Sequence, residues 1–78
     1  MKKNISTVIN ELNDYIKYNM GMLERATLQN DNGKYYEVRV NSDEQVVYDF
    51  MKTYFHYENY EVISRTVLNR EMVLFIEK

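Results

Sequence analysis

The sequence predicts an α+β domain with the element order α-β-β-α-β-β. Three observations carry this. Residues 4–20 and 43–56 repeat apolar side chains at helical spacing. Residues 22–40 and 60–78 each hold two strand-like runs around a turn signal. The 78 residues contain no proline and only two glycines, so there is little linker material to divide them. A single domain over residues 1–78 follows, because a chain of this length has no room for a second core.

The first helix is predicted over residues 4–20. Ile5, Val8, Ile9, Leu12 and Ile16 form one apolar stripe, with Asn10, Glu11, Asn13, Asp14 and Lys17 on the opposite side. Asn4 or Ser6 is placed to cap its start, and Gly21 to end it in the left-handed conformation. Residues 22–29 and 34–40 read as a hairpin turned at Asn30-Asp31-Asn32-Gly33. In its second strand Tyr36, Val38 and Val40 point one way and Tyr35, Glu37 and Arg39 the other. The second helix is predicted over residues 43–56. Ser42-Asp43-Glu44-Gln45 matches a capping box, and Val46, Val47, Phe50, Met51 and Tyr54 form its apolar stripe. Residues 60–68 and 71–78 read as a second hairpin, turned tightly at Asn69-Arg70. Met72 to Ile76 are consecutive apolar residues, the composition of a central strand.

The two helix-plus-hairpin halves echo each other. Val8, Ile9, Leu12 and Ile16 match Val46, Val47, Phe50 and Tyr54 at an offset of 38 residues, and residues 23–28 echo residues 63–68 at an offset of 40. The order of elements is similar to a ferredoxin-like β-α-β-β-α-β order, circularly permuted. That implies a four-stranded antiparallel sheet with both helices on one face and the strands ordered 60–68, 71–78, 34–40, 22–29. A simple meander of the two hairpins is the alternative. The expected helix-facing residues are Ala26, Leu28, Tyr36, Val38, Val40, Val62, Leu68, Met72, Leu74 and Ile76.

Two helices cover one face of such a sheet. The other is expected to carry an apolar centre of Tyr35, Ile63, Val67, Val73 and Phe75 within a rim of glutamates and Arg25, Arg39 and Arg65. An apolar centre with an arginine-bearing rim is the anatomy of a protein interface. The candidate contact residues are Tyr35, Arg39, Ile63, Arg65, Val73 and Phe75. Eight tyrosines are too many for so small a core, which adds Tyr18, Tyr48 and Tyr57 on the helical surfaces as candidates. The expected partner is a protein or a second copy of the chain, with a homodimer through the sheet face as one form. Nucleic acid, held by Arg25, Arg39 and Arg65 with aromatic stacking, is the alternative; the glutamates on the same face would repel phosphates.

Catalytic and cofactor chemistry finds no footing. No cysteine is present and histidine occurs once, at His56, so the usual zinc sites are excluded. His56 has only Glu58 beside it in sequence and is expected at the surface, near the helix C-terminus, where a cation suits the dipole. The Asn30–Gly33 segment fails as a calcium loop, because Leu28 and Arg39 stand where acidic ligands are required. Neither glycine belongs to a phosphate loop. A chain without enzymatic activity, cofactor or metal is expected. The net charge of −2 gives no general pull toward nucleic acid or anionic lipid. No apolar run approaches a membrane span, and Lys2 and Lys3 lead into an amphipathic segment, not the apolar core of a signal peptide. A cytoplasmic location is expected.

Asn, Lys, Ile and Tyr are abundant, and their AT-rich codons point to a low-GC bacterium or its phage. In length, residue usage, mild acidity and lack of catalytic groups the whole chain resembles small phage-encoded inhibitors of host machinery, the anti-CRISPR proteins among them. The resemblance is one of size and composition. It implies a protein that works by binding, in the host-cell cytoplasm, against a defence or nucleic-acid-handling complex.

Overall fold

Asn4 opens the first helix, its side-chain oxygen accepting the Thr7 N–H at 2.9 Å and so satisfying one orphan donor of the helix start. In this computed structural model, which describes residues 2–78, helix α1 spans Ile5–Tyr15 and widens into a π-helical turn over Ile16–Met20. Gly21 ends the turn at φ 63°, its N–H reaching the Ile16 carbonyl. A residue without Cβ takes that left-handed conformation without a steric penalty. The expected helix 4–20 is therefore two kinds of helix. The wide turn lets the Ile16 carbonyl accept from Met22 as well, at 3.3 Å, while the Ile16 side chain stays buried.

Strand β1 covers Ala26–Asn30, not the expected 22–29. The preceding residues are held by Asn41, whose N–H donates to the Arg25 carbonyl at 3.4 Å and whose side chain makes two further bonds. Asn41 accepts the Arg25 N–H at 2.6 Å and donates to the Leu23 carbonyl at 3.4 Å. Strand β2 covers Tyr35–Val40. The loop between them closes as an Asx turn, with the Asn32 N–H bonded to Asn30 Oδ1 at 2.8 Å. The expected four-residue turn at Asn30–Gly33 is shifted by one residue, to 31–34, and Gly33 does not take positive φ in it.

Helix α2 spans Gln45–Tyr57, starting two residues later than expected. The capping box does not form. Ser42 Oγ accepts from the Glu44 N–H at 3.2 Å, and the Gln45 side chain is drawn away to donate to Asp49 Oδ1 at 2.9 Å and to accept from Arg65. The helix ends in a Schellman motif. Asn59 sits at φ 68°, its N–H reaches the His56 carbonyl at 3.0 Å, and the Tyr60 N–H reaches the Phe55 carbonyl at 2.8 Å. The buried stripe is Val47, Met51 and Phe55. It is turned away from the expected one: Val46 is exposed, Phe50 and Tyr54 are half-buried, and Phe55 is wholly enclosed.

Strands β3 (Val62–Leu68) and β4 (Glu71–Glu77) complete an antiparallel sheet ordered β1-β2-β4-β3. This is the expected permuted order, read from the opposite edge; the meander alternative does not occur. The apolar run of β4 lies in the centre. Asn69 at φ 54° and Arg70 at φ 64° make the tight turn before it, the geometry of a type I′ hairpin. Val38, Val40, Met72, Leu74 and Ile76 from the sheet meet Val8 and Leu12 from α1 and Met51 and Phe55 from α2 in one core. The shortest dimension of the molecule is 17 Å, enough for one helix layer on one sheet and no third layer. The accessible surface is 5221 Å² against roughly 13,800 Å² for an unfolded chain of this mass. The fraction buried is thus about 62%, so single core contacts matter to stability.

Two departures from the expected facing shape the surface. Asn13, assigned to the solvent side of α1, is only 8% exposed. Its Oδ1 accepts the Ala26 N–H and its Nδ2 donates to the Ala26 carbonyl, both at 2.8 Å, so the amide pairs with the edge of β1 as a neighbouring strand would. In β3, Val62 pairs with Ile76 but Ser64 pairs with Phe75, leaving Ile63 as an extra residue. This bulge reverses the alternation beyond it. Arg65 and Val67 pair with Leu74 and Met72 on the helix side, and Ser64, Thr66 and Leu68 take the open face.

Candidate functional site

The open face is built from the odd residues of β2 and β4 and the shifted residues of β3. Arg39 pairs with Val73, Glu37 with Phe75 and Tyr35 with Glu77 across the two central strands. Thr66 lies beyond Val73, and Ser64 beyond Phe75. Val73 and Phe75 are half-buried by these neighbours, and Tyr35 is likewise half-buried. Ile63 is 50% exposed at the bulge and Leu68 is 69% exposed near the turn. The result is a short apolar strip along β4 with charged residues on β2. A shallow cleft of about 320 Å³ opens beside it, bordered by Arg39, Thr66, Leu68, Glu71 and Val73.

Of the six residues expected on this face, Tyr35, Arg39, Val73 and Phe75 lie on the central strands together. Arg65 does not join them. The bulge carries it under α2, where its guanidinium bonds Gln45 and lies over the Tyr48 ring at 4.1 Å from the centroid. Val67 leaves the expected apolar centre for the same reason, and Leu68, expected to face the helices, moves onto the open face. Arg25 precedes β1, with its N–H tied to Asn41. Of the three arginines of the expected basic rim, Arg65 is thus removed from Arg39 by the bulge. The open face keeps Glu37, Glu71 and Glu77 against Arg39, a mildly negative surface.

The three candidate tyrosines of the helical side do not gather either. Tyr18 (73% exposed) lies on the π-helical turn and Tyr57 (79% exposed) at the end of α2. The helices run antiparallel, since Lys3 at the start of α1 pairs with Glu58 just after α2 at 3.2 Å. These two tyrosines thus mark opposite ends of the helix layer. Tyr48 is half-buried and stacks on Arg65. A different aromatic group forms between the helices: Tyr15, Phe50 and Tyr54, with ring centroids 5.9–6.1 Å apart. Nearby, Ile16, Met20, Met22, Val46, Val47 and Phe50 line an apolar cleft of about 160 Å³. The signal in the sequence was Val46 and Phe50 on one helical face, read there as core.

Among the described residues, three titratable groups depart from their ordinary values, all in directions set by burial or by neighbouring carboxylates. Burial raises the Tyr60 phenol above its usual value, with Tyr36 adding to the effect, and the Tyr60 hydroxyl donates to the Lys3 carbonyl at 2.7 Å. Burial also raises Tyr54, with Glu11 and Glu58 adding to it. Hydrogen bonds to Glu11 and Glu58 raise the exposed Lys3 ammonium. His56 lies in the last turn of α2, with its Nδ1 2.6 Å from Glu61 Oε1. Both side chains are exposed, at a shallow depression lined by Lys52, Thr53, His56, Tyr57 and Glu61. Among the described residues no three His, Asp or Glu side chains converge on a metal position, and no helix is long and apolar enough to cross a membrane.

The geometry defines a two-layer α+β domain with one uncovered sheet face. Comparison with protein-family models, curated proteins and solved structures finds no match to this chain.

Proposed function

We propose that this chain is a non-catalytic binding protein that acts by contact with a protein partner through its open sheet face. The observation that carries the reading is Phe75 and Val73 standing side by side on the central strand of a face that no other element covers. Aromatic and aliphatic residues in that position supply the apolar centre of an interface, and Tyr35, Glu37 and Arg39 supply its polar rim. The rim charges favour a partner with a basic surface, since charge complementarity guides association and rejects wrong partners. Proteins that handle nucleic acid carry such surfaces. Inhibition of a host defence or nucleic-acid-handling complex, in the manner of the phage-encoded proteins the chain resembles, is the specific form of the reading. Direct binding of nucleic acid finds less support, because Arg65 is turned onto Gln45 and Tyr48 and glutamates flank Phe75.

The test is capture from a lysate of the source cells, with and without nuclease treatment, on immobilised wild type and on Phe75→Glu. A protein retained by the wild type and lost with the variant, with circular dichroism unchanged, is the expected result. Equal retention by both, or retention that nuclease abolishes, refutes the reading.

A further inference from the structure

The two edges of the sheet differ in how their main chain is protected. On β1, the Asn13 amide occupies both main-chain groups of Ala26, and a bulge at Gln29 interrupts the strand after Leu28. The repeat offset of 38 residues puts Met51 where Asn13 stands in the first half. Met51 is wholly buried in the core and gives β3 no equivalent cap. Neither proline nor lysine guards Val62–Leu68, and its one bulge, at Ile63, lies at the start of the strand and leaves residues 64–68 regular.

The alternation of β3 settles which groups face outward. Its two-residue turn makes Leu68 and Glu71 a hydrogen-bonded pair. Leu68, Thr66 and Ser64 therefore turn their main-chain groups toward β4, and Val67 and Arg65 turn theirs away from the sheet. The Arg65 guanidinium is folded back onto Gln45 and Tyr48, which takes its charge off this edge.

We propose that β3 docks a second copy of this chain, the two β3 strands pairing antiparallel about a twofold axis at Thr66. Outward-facing residues must meet outward-facing residues, so few registers exist. Centring on Arg65 sets two arginines against each other and runs the ladder into the bulge at Ile63. Centring on Val67 sets Arg65 against the turn. Centring on Thr66 uses the regular segment 64–68 in full, between the bulge and Asn69. Arg65 then faces Val67 of the second copy, each such pair exchanging both N–H···O bonds. Thr66 faces Thr66, a favourable cross-strand pair, and no like charges are opposed. Arg70 in the turn of each copy runs alongside the start of β3 in the other, where Glu61 precedes the strand, so opposite charges meet at both ends.

Two four-stranded sheets thereby become one eight-stranded sheet with both open faces on the same side. This pairing does not depend on what the open face binds. An edge of this length is at the small end of specific interfaces, so the association is reversible, with a dissociation constant in the micromolar range.

The test is sedimentation equilibrium of the wild type, Thr66→Lys and Phe75→Glu, with disulfide trapping of Thr66→Cys. Thr66 is exposed in the monomer, and the chain has no cysteine of its own. A wild-type monomer–dimer equilibrium is expected. Thr66→Lys weakens it by about tenfold or more, while Phe75→Glu leaves it intact. Thr66→Cys forms a covalent dimer on mild oxidation much faster than Leu23→Cys. A wild type that stays monomeric up to millimolar concentration overturns the proposal. So does a dimer that Phe75→Glu dissolves and Thr66→Lys leaves unchanged, or equal trapping rates for the two cysteine variants.

Discussion

Replacing Asn13 with leucine removes both bonds to Ala26 while keeping a side chain of similar size. The wild-type amide meets the Ala26 N–H and carbonyl at 2.8 Å each, in a site only 8% exposed. Leaving a buried donor or acceptor without a partner costs about 1–3 kcal/mol. Part of the Ala26 edge regains water when the amide is gone, so the expected loss is about 2–4 kcal/mol for the two groups together. A chain of this size has about 4–12 kcal/mol of total stability, so the loss is a large fraction of the total. The midpoint of thermal unfolding should fall by roughly 12–24 °C, and urea unfolding should show the loss at constant slope.

Asn13→Asp adds a sign to the argument. Its carboxylate still accepts the Ala26 N–H but has no proton for the Ala26 carbonyl. Burial and the facing carbonyl oxygen raise the folded-state pKa of the introduced acid above the unfolded value of about 3.9. Stability relative to the wild type is therefore best below about pH 4 and is lost as pH rises through the folded-state value. A loss under about 0.5 kcal/mol for Asn13→Leu, typical of a surface site, or no pH dependence of the Asn13→Asp deficit, would refute the reasoning.

Phe55→Ala should cost about 3–5 kcal/mol, because Phe55 is fully buried where α2 meets the sheet; denaturant unfolding followed by circular dichroism measures it. Arg70→Gly should stabilise the fold by about 1 kcal/mol, since φ 64° strains a residue with a Cβ; a higher unfolding midpoint is the readout. The raised phenols of Tyr54 and Tyr60 favour the folded state below the unfolded tyrosine value of about 10. That contribution is lost as pH rises through the folded-state values, so stability should fall in alkali, and Tyr60→Phe should reduce the fall. Ultraviolet titration of the phenols against circular dichroism of the backbone follows both.

The parts of the fold legible in the sequence are those set by local periodicity. The α1 stripe of Ile5, Val8, Ile9, Leu12 and Ile16 and the alternation of β2 recur unchanged in the structure. The central place of β4 followed from its apolar run. Features set by competition between distant groups were not legible. Gln45 has the right spacing for a capping box, yet Asp49 and Arg65 take its side chain. Asn13 looks like a solvent-side residue until Ala26, thirteen positions away, is seen to offer an edge. The β3 bulge has no mark in Val62-Ile63-Ser64, and that one extra residue moved Arg65 off the candidate face and brought Leu68 onto it. Tyr35, Arg39, Val73 and Phe75 kept their expected facing because no bulge interrupts β2 and β4.

The uninterrupted pairing of β2 with β4 has a consequence for how this protein can change. Met72, Leu74 and Ile76 hold the core, while Val73 and Phe75 between them face outward. One strand thus carries two independent texts, interleaved letter by letter. Tolerance to substitution along β4 should rise and fall with a period of two residues. The outward letters can be rewritten for a new surface while the inward ones keep the same architecture, so the fold and what it recognises are free to diverge at different speeds.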